Sequence, residues 1–460
     1  MHNIAEKLSA LIDPTRIITK QQDLAELAWD ALSVGRIHPE RQPAPAAPLC
    51  AVMPLTTAEV RSTVLFANSE KIPIIPFGGG SGLMGGALSV RPGLVLDLRF
   101  MNQIIEIDAA SRAAQAQAGI ILETLDQKLN AVGLILGHDP WTVPVATVGG
   151  AISTHSVGYR AGIYGSMGDQ VLGLEAVLPN GEIIRTRGVS KSSTGINLNS
   201  LFIGGEGCFG IITEATIRVF PTPQCRLFHS MRFVSFEQGY GAIQDLFKQG
   251  LKPAVVDFGD APDSDGAGAV LFLAFEGKQE IVEVEMQSAL AVCRQHGAAQ
   301  LPQEKAEQFW ENRHVIARRF AQNRRQRRER GLDGFYRDWI HVALPASRVL
   351  SFRRAAMEII NQHGVRLQES GLWVHPELFS MRLGASASDT PNAQLALEQT
   401  VEELLQLVQR MGGAMEYTHG VGVKLASFMP GEHGYGLEVM RQIKQSLDPN
   451  NIMNPGKMGL

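Results

Sequence analysis

PFGGGSGLMGG, residues 76–86, is the most informative segment of this 460-residue chain. It follows the apolar run IPII, and six of the nine residues at positions 78–86 are glycine. Without Cβ atoms, successive backbone N–H groups can converge on one oxyanion, so the segment predicts a phosphate-binding loop. The loop does not end in Gly-Lys-Ser/Thr, and it lacks the acidic residue of the dinucleotide fingerprint, so it belongs to neither of those classes.

Two further glycine-rich clusters follow, each beside a predicted strand. The first runs from Asp139-Pro140 through ATVGGAIST, residues 146–154, to Gly158 and Tyr164-Gly165. Its small and hydroxyl-bearing side chains could line a flat ring system and a sugar-alcohol chain. The second is GGEGCFGIIT, residues 204–213. Three such turns would be costly in chain entropy if none of them bound anything.

The composition is that of an ordinary globular protein and excludes several classes of partner. The net charge is -4, from 42 basic and 46 acidic residues, so we expect no global attraction to nucleic acid or to a membrane. Four scattered cysteines show no metal-type spacing and indicate reduced thiols. We find no signal-peptide core and no run of about 20 apolar residues, and we therefore predict a cytoplasmic protein.

The basic run Arg318–Arg330 is the strongest local charge feature. A solvated helix end or loop is the simpler interpretation. The alternative is a patch that touches anionic lipid at the inner face of a membrane. Nucleic acid is not expected, because aromatic residues do not interleave the arginines.

The chain divides by composition into four parts. Residues 1–47 predict a helical segment and a Pro/Ala-rich connector, and residues 48–222 predict a mixed α/β domain with a hairpin turn at Asn180-Gly181. Residues 223–430 alternate long helical patterns with strands, which predicts a second, α/β domain. Residues 431–460 read as a helix followed by a polar turn.

Four motifs in this order resemble the FAD-linked oxidase family of the vanillyl-alcohol oxidase type. They are PFGGGSGLMGGAL, ATVGGAIST, IGGEGCFGIITEATIRVFP and DPNNIMNPGK, and the resemblance runs from about residue 48 to the C-terminus. The family includes D-lactate and D-2-hydroxyglutarate dehydrogenases, the D subunit of glycolate oxidase, and alkylglycerone-phosphate synthase. The resemblance implies a two-domain α+β fold, in which residues 48–222 and the returning tail 431–460 bind FAD. Residues 223–430 would then form an α/β cap that carries substrate residues.

The resemblance assigns the flavin site residue by residue. The first loop would bind the pyrophosphate, the two later clusters the rest of the FAD, and the Asn-Pro-Gly-Lys turn would pack against the flavin domain. The implied contacts are Pro76, Gly78, Gly79, Gly80, Ser81, Gly82, Gly86, Pro140, Thr147, Val148, Gly150, Ser153, Thr154, Gly158, Glu206, Gly207, Ile211, Ile212 and Asn454. The first loop contains no His or Cys, so we predict a non-covalent flavin, with His155 and Cys208 as the alternative attachment points.

Oxidation of a 2-hydroxy acid needs a base, an anchor for the carboxylate and a hydride acceptor, which is the flavin. A base near neutral pH favours histidine. His419, in the turn THGVG, is the first choice and His375 the second, each with a purely structural role as the alternative. The carboxylate favours arginine, because its fork matches two oxygens. The candidates for the anchor and for further anion or hydrogen-bond contacts are Arg313, Arg382, Lys424 and Tyr417.

The metal motifs of the hydroxy-acid branch are incomplete in this chain. That branch often carries HxGDGNxH and Glu-His-Gly, whereas this chain reads WVHPELFSMRLG and EYTHGVG. His375, Glu377 and His419 could together bind a divalent metal, but we predict no metal ligands. The synthase branch carries a run of histidines before its GVG, of which only His419 is present here.

The leading hypothesis for function is dehydrogenation of a small 2-hydroxy acid that is D-lactate-like or D-2-hydroxyglutarate-like. The alternative is a flavin-dependent transferase like alkylglycerone-phosphate synthase. A third hypothesis is a flavin-binding or membrane-associating subunit without turnover. The sequence identifies no electron acceptor, and a homodimer is an expectation only.

Overall fold

The computed structural model describes residues 2–37, 42–260, 268–324, 328–331 and 333–460. Three β-sheets organise the chain. The first has four strands in the order β1-β2-β4-β3. They are β1 (Ile17–Ile18), β2 (Cys50–Val52), β3 (Ile74–Phe77) and β4 (Leu94–Asp97).

The phosphate-type loop leaves the carboxyl end of a buried parallel strand. Strands β2, β4 and β3 run parallel, and the helix Thr57–Glu70 connects β2 to β3. The Thr56 hydroxyl caps this helix by accepting the Glu59 N–H at 3.2 Å. β3 then delivers the chain to residues 78–86 at the edge where open α/β sheets bind ligands.

The second sheet is antiparallel and has the order β5-β6-β10-β8-β9, with β7 paired to β10. Its strands are β5 (Ile104–Asp108), β6 (Ala113–Gln117), β7 (Leu134–Leu136), β8 (Val171–Val177), β9 (Ile183–Arg185) and β10 (Ile211–Pro221). Gly181 has φ +79°, as the hairpin turn between β8 and β9 requires. The third glycine-rich cluster leads directly into β10.

The third sheet has seven strands in the order β14-β11-β13-β12-β16-β17-β15. They are β11 (Cys225–Phe233), β12 (Val255–Asp260), β13 (Ala269–Gly277), β14 (Ala299–Gln300), β15 (Phe335–Ala343), β16 (Arg366–Trp373) and β17 (Leu378–Ser386). Four helices pack on this sheet and close the largest apolar core: Phe236–Lys248, Gln279–Gln295, Val349–Gln362 and Ala393–Arg410.

The two faces of the third sheet differ in polarity, as alternation along a strand predicts. On β15, Ile340 and Val342 are buried in the apolar core. Trp339 and His341 alternate with these two residues and project from the other face. There they lie opposite Arg382 and Ser380 of β17. This polar face of the cap sheet carries side chains that could meet a substrate.

The other α-helices of the described residues have 4 to 13 residues each. They are His2–Ser9, Gln21–Leu27, Leu122–Asn130, Val148–Ser153, Ala161–Tyr164, Asn199–Phe202, Gln303–Asn312, Val315–Gln322, Met429–His433 and Tyr435–Leu447. No helix in the described ranges is long and apolar enough to cross a bilayer.

The N-terminal segment joins the two halves of the molecule. Ala31 N–H donates to Gly82 O at 2.8 Å, which places this segment against the glycine-rich loop. The Arg36 guanidinium is 2% exposed, donates to Asp338 of β15 at 2.7 Å, and donates to Leu83 O at 3.1 Å. The segment that the sequence separated as residues 1–47 therefore contacts both the loop and the cap.

The basic run also faces the protein where it is described. Arg318 pairs with Glu123 at 2.5 Å, Arg324 donates to Gly79 O at 2.7 Å, and Arg328 donates to Ala25 O at 3.0 Å. Residues 325–327 of the run lie outside the described residues. A membrane contact through this run stays a prediction.

The C-terminal tail returns to the first sheet and is held there by a buried lysine. Ile74 N–H donates to Ile452 O at 2.6 Å. Lys444 Nζ donates to Cys208 O at 2.8 Å, Met453 O at 2.7 Å and Asp448 Oδ2 at 2.5 Å. Asp448 is 1% exposed, and Lys444 supplies the positive charge with which its buried carboxylate pairs.

We expect Lys444→Ala to lower the free energy of unfolding by about 3–5 kcal/mol, since it strands a buried carboxylate. Chemical denaturation measures this, and Lys7→Ala is the control. The Lys7–Glu70 pair is exposed, with side-chain exposures of 47% and 39%, so its loss should cost less than about 1 kcal/mol. Equal effects of the two substitutions would contradict the role given to Lys444.

Candidate functional site

The glycine-rich loop lies directly against the second glycine-rich cluster. A Cβ atom at Gly79 would stand 2.1 Å from Val145 O, and one at Gly78 would stand 2.4 Å from Thr147 Oγ1. Any larger residue at position 79 would push the two segments apart. The close approach leaves a groove with walls made largely of backbone, which is the form a nest for a diphosphate takes.

Residues of all three glycine-rich clusters line this groove, which is partly open to solvent; its empty space is about 1220 Å³ when the open solvent at its mouth is included. Most of the flavin contacts implied by the sequence lie in its walls. They are Pro76, Gly78, Gly79, Gly80, Ser81, Gly82, Gly86, Pro140, Thr147, Gly150, Ser153, Thr154, Glu206, Gly207, Ile211, Ile212 and Asn454.

Two of the implied contacts stand behind the groove. Val148 is fully buried in the apolar core of the second sheet. Gly158 backs onto the chain before Pro140, since a Cβ there would be 2.7 Å from Asp139 N. Both residues therefore support the wall and do not line it.

The structure adds lining residues that the sequence did not suggest. Asp30 comes from the N-terminal segment, and Trp141, Thr142 and Ser156 flank the second cluster. Burial raises the pKa of Asp30 to about 6. A lone aspartate in a helical pattern carried no signal of this role, because only the packing of residues 21–37 on the loop brings it to the groove.

Glu206 connects the groove to the cap. Its carboxylate accepts the N–H of Val421 at 2.5 Å and that of Gly422 at 2.8 Å. Burial raises the pKa of Glu206 to about 7, which the two N–H donors partly oppose. A Cβ at Gly422 would stand 2.0 Å from Met84 O. Only glycine therefore fits at this position of the turn that follows His419.

Asn454 ties the tail to the same place. Its Nδ2 donates to Gly86 O at 2.9 Å and to Glu206 O at 2.7 Å. One amide therefore links the first loop to the third cluster. The Asn-Pro-Gly-Lys turn therefore helps to keep these two walls of the groove together.

His419 and Thr418 of the cap complete the groove wall. The Glu416 carboxylate stabilises their turn, because its Oε1 accepts the N–H groups of Tyr417, Thr418 and His419 at 3.0, 2.8 and 3.0 Å. His419 Nδ1 lies 3.5 Å from the same oxygen. The carboxylate therefore stabilises the turn and lies beside the imidazole.

His341 of β15 is a neighbour of His419 that the sequence analysis missed. The two ring centroids are 4.4 Å apart, nearly at right angles. Burial lowers the pKa of His341 to about 3, so this ring is neutral. The strand pattern WIHVALP did contain a signal, since it places His341 on the same face as Trp339, away from the apolar core.

Tyr417 lies beside this pair, on the polar face of the cap sheet. Its hydroxyl is 2.8 Å from Ser380 Oγ, and its ring centroid is 5.8 Å from that of His341. The structure thus brings the predicted Tyr417 and His419 together with His341.

His375 does not join this group. Its ring packs against Phe247, with centroids 5.3 Å apart. The metal grouping of His375, Glu377 and His419 that the sequence suggested is not the one the fold assembles. The ligand-type atoms that lie within 4.8 Å of one another belong to His341, Glu416 and His419.

The cationic candidates differ in how strongly other groups hold them. Arg313 donates to Asp139 at 3.1 Å and lies 3.6 Å from the centroid of the Trp310 ring. Lys424 is buried and donates to Asp338 at 2.6 Å.

Arg382 is the most loosely held of the three. It is 3.6 Å from Glu369, with its side chain 41% exposed. Its Nε has no hydrogen-bond partner in the described part of the chain. Arg382 is therefore the cationic candidate that the other described residues engage least.

The two alternative attachment points for a flavin lie outside the groove. His155 is exposed, and its Nε2 is 3.4 Å from Ser166 Oγ. Cys208 is buried with its sulfur 3.9 Å from Asn454 O, and burial raises its pKa to about 12. A thiol held in its neutral form is a poor nucleophile.

Comparisons with known proteins match this architecture over most of the chain. Residues 48–187 match the model of the "FAD binding domain", and residues 222–458 match that of the "FAD linked oxidases, C-terminal domain". The glycolate oxidase subunit GlcD of Bacillus subtilis (strain 168) is 30% identical over 433 residues, which cover 89% of each chain. A D-lactate dehydrogenase of Archaeoglobus fulgidus is 29% identical over 449 residues, covering 93% of this chain and 95% of that one.

Solved structures share the fold at lower identity. An alkyldihydroxyacetonephosphate synthase superposes with a TM-score of 0.80 at 19% identity, covering 99% of this chain and 86% of the other. A p-cresol methylhydroxylase superposes with a TM-score of 0.79 at 21% identity, covering 100% and 96%. Together the matches confirm the two-domain α+β fold and the FAD cofactor that the sequence predicted.

We expect Gly79→Ala to lower the FAD content of the purified protein and to weaken FAD binding at least tenfold. The added methyl group would displace Val145 and widen the groove where the diphosphate is expected to bind. Visible absorbance and titration of the stripped protein with FAD measure both quantities. Gly436→Ala is the control, because its Cβ would meet only His433 Cβ, at 3.6 Å. Unchanged FAD affinity in Gly79→Ala would place the diphosphate elsewhere.

We also expect acid precipitation to release all of the flavin into the supernatant. Neither His155 nor Cys208 lines the groove, and the first loop contains no nucleophile of either type. Yellow colour that stays with the pellet, traced by peptide mapping to one residue, would show a covalent bond and overturn this expectation.

Proposed function

Because this chain belongs to the FAD-linked oxidase family, it is an FAD-dependent oxidoreductase, and we propose that it dehydrogenates a small 2-hydroxy acid. The observation that carries the proposal is His419, an imidazole of the cap that lines the groove. The relatives that support the choice of substrate are named glycolate oxidase subunit and D-lactate dehydrogenase. A D-lactate-like or D-2-hydroxyglutarate-like acid is the substrate that we propose.

FAD supplies the hydride acceptor when it is bound. The groove suits it, because the backbone approach at Gly79 leaves no room for a Cβ and because hydroxyl and glycine residues line the wall beyond. The remaining tasks fall to side chains of the cap. These tasks are to hold the acid in place and to accept the proton of its hydroxyl group.

We propose that His419 is the base that accepts the proton of the substrate's hydroxyl group. Glu416 Oε1 lies on its Nδ1 side at 3.5 Å, and this carboxylate favours the tautomer that keeps a proton on Nδ1. Nε2 is then the basic nitrogen. A positioned base of this kind contributes about 10²- to 10⁴-fold to the rate.

We propose that Arg382, and not Arg313 or Lys424, binds the carboxylate of the substrate. Asp139 and Asp338 already engage those two cations. Arg382 lies opposite Trp339 in the register of β15 and β17, on the face that also carries His341 and Ser380. We also propose that Tyr417, whose hydroxyl lies 2.8 Å from Ser380 Oγ, donates a hydrogen bond to an oxygen of the acid.

The alternative is a flavin-dependent transferase like alkylglycerone-phosphate synthase. The single histidine before GVG motivates it, and the shared fold at 19% identity is compatible with either chemistry. The two functions differ in outcome, because a dehydrogenase leaves the flavin reduced and a transferase does not. The electron acceptor is not identified by the sequence, and a homodimer stays a prediction.

The test mixes the FAD-loaded protein anaerobically with glycolate and with the D and L forms of lactate and 2-hydroxyglutarate. We expect one acid, and one enantiomer where there are two, to bleach the flavin. His419→Ala should slow the bleaching about 100-fold or more while FAD stays bound. The measurement is stopped-flow absorbance, repeated with added Zn²⁺ or Mn²⁺.

His375→Ala and His433→Ala distinguish the assignment from a general effect of losing an imidazole. His375 packs against Phe247, and His433 is exposed at a helix end, so we expect both variants to bleach at nearly the parental rate. If His375→Ala slows the reaction as much as His419→Ala does, the base is wrongly placed. If none of the acids bleaches the parental flavin, with or without metal, the proposed function is refuted.

A further inference from the structure

We propose that Arg324 is a positioning residue for FAD, whose positive charge balances the diphosphate and reaches the glycine-rich loop from the cap. Arg324 lies in the part of the chain that matches the C-terminal domain of FAD-linked oxidases, whereas the loop lies in the FAD-binding part. Its Nη2 donates to Gly79 O at 2.7 Å. The proposal rests on the FAD cofactor and not on the choice of substrate.

Residues 315–324, which we call the strap, pack directly on the glycine-rich loop. The strap consists of the helix Val315–Gln322 and the two residues that follow it. Ala317 and Phe320 are buried in one apolar cluster with Leu83 of the loop. Arg324 Cζ lies 5.4 Å from the centroid of the Phe320 ring. The packing that covers the loop therefore also brings the guanidinium to it.

The guanidinium lies against the loop backbone at a position that only glycine permits. A Cβ atom at Gly80 would stand 2.8 Å from Arg324 Nη1. Gly80 also has φ +60°, a conformation that residues with a Cβ rarely adopt. The glycine at this position therefore admits the arginine on one side of the loop as well as an anion in the groove.

Arg324 differs from its neighbours in the basic run because no carboxylate of the described residues lies within ion-pair distance of it. Arg318 pairs with Glu123 at 2.5 Å, and Arg328 lies 3.6 Å from Glu26. Those two cations are balanced within the protein. The charge of Arg324 is the one that a bound anion could balance.

The surroundings of Arg324 make such an anion favourable. Burial and the positive charge of Arg99 lower the pKa of the Arg324 guanidinium. Asp97 already binds Arg99 through two hydrogen bonds, at 2.8 and 2.6 Å. A partly buried charge without a counter-ion is costly, and a diphosphate held by the loop would offset that cost.

Arg324 can act on the diphosphate through the peptide between Gly79 and Gly80. This peptide is trans, so the Gly80 N–H points away from the Gly79 carbonyl that accepts from Arg324. Both glycines line the groove, and the N–H groups of residues 78–82 donate to no other group of the described residues. A cation at the carbonyl and an anion at the N–H polarise the same peptide, and each bond strengthens the other.

The experiment measures the affinity of the full-length apoprotein for FAD, by the quenching of flavin fluorescence on binding. Arg324→Ala removes both the charge and the bond to Gly79 O. Arg324→Gln keeps a donor for that carbonyl without the charge, and Arg324→Lys keeps the charge.

We expect the Kd for FAD to rise about 10- to 100-fold in Arg324→Ala and in Arg324→Gln, as for the loss of a charge-assisted interaction. Arg324→Lys should bind FAD at least about fivefold more tightly than Arg324→Gln, because it restores the charge without the planar fork. A merely structural role, in which the side chain only holds the Gly79 carbonyl, would not produce this order.

Arg319→Ala is the matched control. Arg319 belongs to the same strap and is exposed, so its loss removes the same charge without changing a contact to the loop. Its Kd for FAD should stay within about twofold of the parental value, because exposed charges interact weakly. Circular dichroism of each apoprotein checks that it is folded.

An unchanged Kd in Arg324→Ala would overturn the proposal, as would an equal loss in Arg319→Ala. Parental affinity in Arg324→Gln, or equal affinities of the Lys and Gln variants, would also overturn it, because the charge would then have no role. Bleaching of the parental flavin by a hydroxy acid does not depend on these results. The failure of this proposal is therefore distinguishable from the failure of the proposed function.

Discussion

The hydrogen bonds from Val421 and Gly422 to the Glu206 carboxylate are the contact on which the site depends. They join a loop of the FAD-binding domain to the cap turn that carries His419. A charge-assisted bond contributes about 1.5–3 kcal/mol, and the carboxylate needs such donors because it is buried. Glu206 has φ +47°, and its backbone carbonyl accepts a hydrogen bond from the side-chain amide of Asn454. The tail, the third cluster and the cap turn therefore meet at one residue.

A second buried network connects the N-terminal segment to the cap. Arg36 and Lys424 share the carboxylate of Asp338, and the three side chains are almost fully buried. Their charges keep the pKa of Asp338 low, at about 2. Removing one partner would leave an unpaired charge in the interior, which explains why residues 24–37 pack as part of the functional unit.

The cap sheet shows how one strand can serve two purposes. Alternation along β15 buries Ile340 and Val342 under the helices and presents Trp339 and His341 to the other side. The apolar face stabilises the domain, and the polar face is left for chemistry. Because the turn 416–419 bridges to β15, the candidate site forms from segments that are about 75 residues apart in sequence.

Much of the fold could be predicted from the amino-acid sequence, because it rests on local chemistry. Six glycines in nine residues after an apolar strand demand close backbone approach, and the approach of Gly79 to Val145 provides it. The family resemblance, the two-domain α+β fold and the FAD cofactor also followed from motifs of this kind.

The partners of the charged side chains could not be predicted in this way. Asp139 and Asp338 engage Arg313 and Lys424 across long stretches of sequence, and those contacts leave Arg382 as the freer cation. The pairing of β15 with the cap turn brings His341, and not His375, to His419. Local sequence determines which residues can bind a phosphate or accept a proton. Only the tertiary structure determines which of them remain free of other partners, because burial and ion pairing depend on segments that are distant along the chain.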